Sequence, residues 1–101
     1  MMTLYDICKR IAEVEEGLLY GEINFTYDKL MSAMKPGHPA DILDEILSVI
    51  GWDVFQGKTP ERKKIEKVFS ELKRFKACFK VKELKEPIDA LKEYLDSDKS
   101  E

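Results

Sequence analysis

The sequence predicts a small all-α domain, a bundle or irregular array of four to five helices. A chain of 101 residues is long enough for one domain and no more. Its hydrophobic content of 44% is ordinary for a globular protein. Apolar residues recur every three or four positions along most of the chain, which is the period of a helix. We expect one domain over residues 1–95 and a polar, frayed tail over residues 96–101.

The first helix is predicted to begin after Thr3, whose hydroxyl can cap it, with Asp6 as the acid of a capping box. It should end between Gly17 and Gly21, because glycine is the usual residue just beyond a helix. One side of this helix carries an apolar stripe, formed by Leu4, Ile7, Ile11, Val14 and Leu18.

The second and third helices are separated by the strongest breaker in the chain, residues 35–39, which contain two prolines and a glycine. The second helix is short, capped by Thr26 or Asn24, and must stop before Pro36. The third is predicted over about residues 40–50. It is apolar around most of its circumference, which is typical of a central helix, and Gly51 is the predicted stop.

Residues 51–57 are predicted to form a loop that holds Trp52, Val54 and Phe55. Trp and Phe are enriched at the centres of protein interfaces, so these three residues are candidates for contact with a partner. The alternative is that the loop folds down and covers one end of the bundle.

The fourth helix is predicted to start at Thr59–Pro60, since proline is favoured in the first turn. Val81 and Leu84 fall off its apolar stripe. The helix therefore bends near Lys80 or meets a second surface there, and Pro87 can begin a fifth helix. Together the first, third and fourth helices should supply the core, with ten residues largely buried: Leu4, Ile7, Ile11, Val14, Ile46, Ile50, Val68, Phe69, Leu72 and Phe75.

Charge is unevenly distributed along the sequence. Residues 1–57 carry a net charge of −6, residues 58–86 a net charge of +6, and residues 87–101 a net charge of −3. The basic helix around residues 60–85 can lie against acidic helices of its own chain or of a second copy. It can also bind a polyanion, because four cations fall on one line of a helical wheel: Lys63, Lys67, Arg74 and Lys85. The acidic pI of 5.3 argues against a dedicated nucleic-acid binder.

Motifs for catalysis or cofactor binding are missing from the sequence. The only histidine, His38, lies in a tight turn, and the five glycines form no phosphate-binding loop. Two groups of carboxylates, around residues 13–16 and 41–45, could bind Mg²⁺. Carboxylates in such a pattern more often belong to the solvated face of a helix. We expect no catalytic residues, no metal and no cofactor, with a metal-dependent hydrolase as a distant third hypothesis.

Two cysteines, Cys8 and Cys78, are expected to be reduced thiols in a cytoplasmic protein, since no signal peptide or membrane span is found. Cys8 borders the stripe of the first helix and should be core. Cys78 either lies near the basic line, where cations would activate it, or is buried in a second contact surface. The charged fraction of 37% beside a single Asn and a single Gln resembles thermophilic compositions.

These features favour a non-enzymatic protein–protein interaction protein that self-associates as a homodimer or is a small subunit of a larger assembly. The residues expected to contact the partner are Trp52, Val54, Phe55, Val81 and Leu84. The alternative is a nucleic-acid-associated protein that uses the basic helix.

Overall fold

The computed structural model describes residues 2–97, which form five α-helices and contain no strand. This confirms the all-α fold class. The helices are α1 (Leu4–Leu19), α2 (Lys29–Met34), α3 (Pro39–Phe55), α4 (Arg62–Phe79) and α5 (Lys85–Ser97), with a 3₁₀ turn (Lys82–Leu84) before α5. No helix in the described range is both long and apolar enough to cross a bilayer.

The capping box predicted for α1 is present. The Asp6 amide donates to the Thr3 hydroxyl at 3.1 Å, and the Thr3 amide donates to the Asp6 carboxylate at 3.2 Å. The helix ends at Leu19, inside the predicted window, and Gly21 follows with a φ of 77°. Gly17 also has a packing role, because a Cβ there would lie 2.6 Å from Cδ1 of Ile23. Its missing side chain lets the following connector fold back onto the helix.

The second helix does not use the predicted caps Thr26 or Asn24. Its N-cap is Asp28, whose carboxylate accepts the Met31 amide at 2.8 Å. Asp28 lies two residues after Thr26 and four after Asn24. Because its carboxylate is also a good N-cap, it sets the start of this short helix in place of the predicted caps. The predicted end before Pro36 is confirmed, since α2 stops at Met34.

The prediction that the third helix stops at Gly51 is wrong, because α3 continues to Phe55. The stop signal is Gly57, which has a φ of 80°. Its amide donates to the Val54 carbonyl at 3.1 Å, and the Lys58 amide donates to the Asp53 carbonyl at 2.8 Å. This paired pattern is the Schellman ending of a helix. Residues 51–55 are therefore helical, and the predicted loop that holds Trp52, Val54 and Phe55 does not exist.

The basic segment 60–85 is not one helix. Helix α4 begins at Arg62, two residues after the predicted start at Pro60, and ends at Phe79. Lys80 then adopts the left-handed conformation, with a φ of 57°, and redirects the chain. Of the two predicted alternatives, a bend near Lys80 or a second contact surface there, the structure shows a change of direction, and it is a complete break in the helix. α5 then begins at Lys85, slightly before Pro87.

The core is built from α1, α3 and α4 as predicted, and α5 contributes Ile88, Leu91 and Leu95. Eight of the ten predicted core residues are buried, whereas Leu4 and Phe69 are only partly buried. In the predicted tail, Asp96 and Ser97 belong to α5, and residues 98–101 lie outside the described range.

Candidate functional site

The most distinctive surface feature is a groove of about 380 Å³ along one face of α3, here called the α3 groove. Its lining residues recur at the spacing of a single helix face: Asp44, Leu47, Ser48, Gly51, Trp52, Phe55 and Gln56. The groove is acidic at the N-terminal end of α3 and aromatic at the C-terminal end. All of its lining residues belong to α3 or to its C-cap.

Three aromatic side chains stand at the aromatic end of the groove. Trp52 is 73% exposed, Tyr5 51% and Phe55 46%. Tyr5, on α1, packs edge-to-face on Phe55, with ring centroids 5.6 Å apart. Such a geometry contributes beyond the area it buries and holds Phe55 in place. The result is a fixed apolar surface that is open to contact from outside the chain.

Gly51 lines the groove about one turn before the end of α3. A glycine inside a helix costs about 1 kcal/mol relative to alanine. Nothing in the chain itself requires this cost, because an added Cβ would meet Leu47 Cγ at 3.5 Å and Phe55 Cε2 at 3.7 Å. Both are ordinary van der Waals distances. Gly51 is itself buried, and an added methyl group would lie in ordinary contact with these two side chains, so the packing of this domain tolerates it.

The acidic end of the groove brings carboxylates from two helices together. Glu15 on α1 faces Asp44 on α3, and Asp41 lies close by. Partial burial, repulsion from Asp44, a hydrogen bond shared with Asp44 and repulsion from Asp41 together raise the pKa of Glu15 to about 7. Since Tyr5 meets Phe55 near one end of α1 and Glu15 meets Asp44 near the other, α1 and α3 run antiparallel.

We expect this carboxyl pair to make stability depend on pH. The ordinary pKa of this carboxyl group is 4.5, and below that pH Glu15 is protonated in both the folded and the unfolded chain. Between pH 4.5 and about 7 the folded chain keeps a proton that the unfolded chain has released. Stability should therefore fall as pH rises through this window, by about 1 kcal/mol after allowing for solvent screening. Urea unfolding at pH 5 and pH 8 would measure the change.

The matched controls are Glu15→Gln, which should remove the decrease, and Glu16→Gln at the exposed neighbouring position, which should retain it. An equal decrease in the wild-type protein and in Glu15→Gln would show that another group is responsible.

The predicted partner-contacting residues do not share one surface. Trp52 and Phe55 are exposed, but Val54 is buried on the opposite side of α3. Val81 and Leu84 have no exposed surface. The expectation that Val81 and Leu84 contribute to an exposed apolar patch is wrong, because the break at Lys80 turns them into the core.

The predicted line of four cations is also divided. Lys63 and Lys67 are exposed on α4, and within residues 2–97 no ion pair involves either. The Arg74 guanidinium instead contacts the Met34 sulfur at 3.0 Å. Lys85 lies on α5 and pairs with Asp89 at 2.8 Å.

The two thiols have different surroundings. Both cysteines are free; Cys8 is buried, and burial raises its pKa to about 11, whereas Cys78 is half-buried. At pH 8 only about one Cys8 thiol in a thousand would be ionised. We expect iodoacetamide to modify Cys78 in the native protein and Cys8 only after unfolding, as measured by peptide mass spectrometry. Rapid native labelling that persists in Cys78→Ser would contradict this.

Neither histidine nor carboxylates form a metal site in the described part of the chain, where no group of three or more possible ligands converges. His38 caps α3 instead. Its Nδ1 accepts the Ala40 amide at 3.0 Å, and its ring lies edge-on to Phe25 at 5.4 Å. These contacts give the single histidine a structural role.

Comparison with protein-family models, with curated proteins and with solved structures finds no significant match. The sequence predicts Trp52 and Phe55 as contact residues but gives no signal for Tyr5, and it predicts a helix stop at Gly51, which lies within α3. A helical wheel extended past residue 51 would have placed Gly51 beside Phe55 and Leu47.

Proposed function

We propose that this chain is a non-enzymatic protein–protein interaction module, self-associating or acting as a small subunit of an assembly, with the α3 groove as its contact surface. The observation that supports this is the exposure of Trp52, the only tryptophan, beside Phe55 and Tyr5 on a rigid helical platform. A tryptophan is rarely so exposed, and residues of this type dominate binding energy at interfaces. Contiguous apolar surface of this kind usually marks a contact site.

A second exposed apolar cluster surrounds α2 and includes Tyr27, Leu30 and Met34. The α3 groove is the better candidate for two reasons. It is concave, and its aromatic side chains are held by a helix of 17 residues, whereas α2 has only six. Well-packed anchors beside a pocket are the typical arrangement of interface hot spots.

Site-specific photo-crosslinking would test the proposal. A photoreactive amino acid replaces Ser48, an exposed residue in the groove, in the full chain inside cells that produce it. We expect a protein adduct that is lost in Trp52→Ala, while the thermal unfolding midpoint stays unchanged. The same amino acid at Lys92, exposed on α5, is the control position. Equal labelling at both positions would reject the groove as a contact surface.

Polyanion binding is the second candidate function. It is favoured by the exposed cations Lys63 and Lys67, for which the described residues show no ion pair. The division of the basic line limits how many phosphates one helix can contact. We expect binding to duplex DNA and single-stranded RNA at physiological salt no tighter than the non-specific range of ~10⁻⁴–10⁻⁶ M. Fluorescence anisotropy would measure it. A sub-micromolar complex that Lys67→Glu weakens would favour this second function.

A further inference from the structure

The segment that contains α2 lies along one face of α4. Three contacts join them, in the order of the α2 segment: the Thr26 amide donates to the Phe79 carbonyl at 2.8 Å, the Met34 sulfur contacts the Arg74 guanidinium at 3.0 Å, and the Lys35 ammonium pairs with the Glu71 carboxylate at 3.5 Å. The positions contacted on α4 run backwards along the chain, from 79 to 71. The α2 segment is therefore antiparallel to α4, and its contacts reach only the C-terminal half of that face.

The same face of α4 continues beyond α2 as a basic surface. Lys63 and Lys67 fall within about 40° of Arg74 on a helical wheel, and the three positions span about 16 Å of helix. All three side chains are exposed. The carboxylate on this face, Glu71, is already paired with Lys35. This face of α4 therefore presents positive charge.

The outer side of the α2 segment is apolar. Tyr27, Leu30 and Met34 are each more than half exposed, and they recur at spacings of three and four residues. The Tyr27 hydroxyl is hydrogen-bonded to the Ser32 hydroxyl at 2.6 Å, which holds the ring beside the helix. The contact between Met34 and Arg74 joins this apolar side directly to the basic face of α4. The two form one continuous region, here called the α2/α4 surface, with six residues: Tyr27, Leu30, Met34, Lys63, Lys67 and Arg74.

This combination of side chains restricts the chemistry of what can cover the α2/α4 surface. A nucleic acid would match the cations but would leave Leu30 and Met34 in contact with water. An anionic bilayer would match both parts, but a plane of that extent also faces the rest of a chain whose net charge is −3. A short acidic and apolar peptide contacts the surface alone. Because the cations recur at helical spacing, a helix lying along α4 can present carboxylates at the same spacing.

We propose that the α2/α4 surface binds an acidic amphipathic helix of a partner protein. Its apolar face packs on Leu30 and Met34, and its carboxylates meet Lys63, Lys67 and Arg74. Burial of apolar side chains supplies most of the affinity, and the charges set the orientation. This surface is separate from the α3 groove, so the chain would contact partners through two different faces.

The test uses a synthetic peptide of about five helical turns, with leucine on one face and glutamate on the adjacent face. Titration of the full, isotope-labelled chain would be followed by amide chemical shifts. We expect saturable shifts in α2 and along the exposed face of α4, with the Trp52 indole signal unchanged. One control peptide replaces every glutamate with glutamine, and another replaces every leucine with serine. Each should bind at least about tenfold more weakly, a loss of about 1.4 kcal/mol.

Variants of the chain locate the binding energy. Leu30→Ser should weaken binding of the acidic peptide about tenfold, and Lys67→Glu about fivefold at low salt. The double variant Lys63→Glu, Lys67→Glu should instead prefer a peptide in which lysine replaces glutamate. Lys92→Glu, at an exposed position on α5, is the matched control and should bind like the wild type. These side chains are exposed, so the thermal unfolding midpoints should stay unchanged.

Four results would overturn the proposal: no saturable binding of the acidic peptide, shifts centred on Trp52, an equal loss in Lys92→Glu, or tighter binding to phosphatidylserine vesicles or single-stranded RNA than to the peptide. Tighter binding to vesicles or RNA would identify a lipid surface or a nucleic acid as the occupant. None of these results bears on the crosslinking at Ser48, which tests the α3 groove by itself. The two proposals can therefore fail separately.

Discussion

Replacing Phe75 by alanine is expected to lower the free energy of unfolding by about 3–5 kcal/mol, because the deletion leaves a cavity that a close-packed core fills only in part. Phe75 has no exposed surface, and its ring lies 4.7 Å from that of Phe79, measured between centroids. Both rings lie in the core cluster to which α1, α3, α4 and α5 contribute. For a domain of this size such a loss is a large part of the total stability.

Urea titration followed by circular dichroism would measure the loss, with Phe69→Ala as the matched control. Phe69 lies on the same helix but is only partly buried, and the Lys73 ammonium lies 4.8 Å from its ring centroid. We expect this control to cost about 1–2 kcal/mol. Equal losses at the two positions would mean that Phe75 is not at the centre of the core.

The helical stripes were predictable because they depend on local periodicity alone. In α1 the apolar residues and the capping box are determined by neighbours within four positions, and the structure follows them. Phe69 shows the limit of such reasoning. A helical wheel gives the apolar face of α4 but not how much of that face the neighbouring helices cover, so it could not separate Phe69 from Leu72 and Phe75.

The end of α3 differs from the prediction because two glycines compete as stop signals. Gly51 and Gly57 both follow apolar helical residues, and local propensity favours the earlier one. The Schellman hydrogen bonds form at Gly57, and Val54 gains burial in the core only if the helix continues past Gly51. Tertiary burial therefore outweighs the preference of glycine for a helix end. Because the predicted stop at Gly51 comes too early, the sequence predicts a loop over residues 51–55, which are helical.

The candidate site was predictable only in part, because it also depends on tertiary packing. Trp52 and Phe55 stand out by residue type, but Tyr5 joins them only because α1 packs antiparallel to α3. The meeting of Glu15 and Asp44 has the same origin. Contacts between residues so distant in sequence depend on helix packing, which local patterns do not encode.

Leu84→Asp should unfold the domain, whereas Trp52→Asp should leave the fold intact. Leu84 is fully buried in the 3₁₀ turn, which contacts α1, α4 and α5. An aspartate there loses the burial of a leucine and places an unpaired carboxylate in the core. We expect a cost above about 4 kcal/mol, which approaches the whole stability of a small domain.

Circular dichroism and thermal unfolding of the two variants would measure the contrast. Leu84→Asp should lose its cooperative transition, and Leu84→Met, which conserves volume, should cost less than about 1.5 kcal/mol. Trp52→Asp should stay within about 0.5 kcal/mol of the wild-type monomer, because its side chain is already in water. Only in this variant can a loss of association be attributed to the surface itself. A folded Leu84→Asp protein would show that the chain beyond Lys80 is not part of the core, and would return Val81 and Leu84 to the exposed contact surface that the sequence alone predicts.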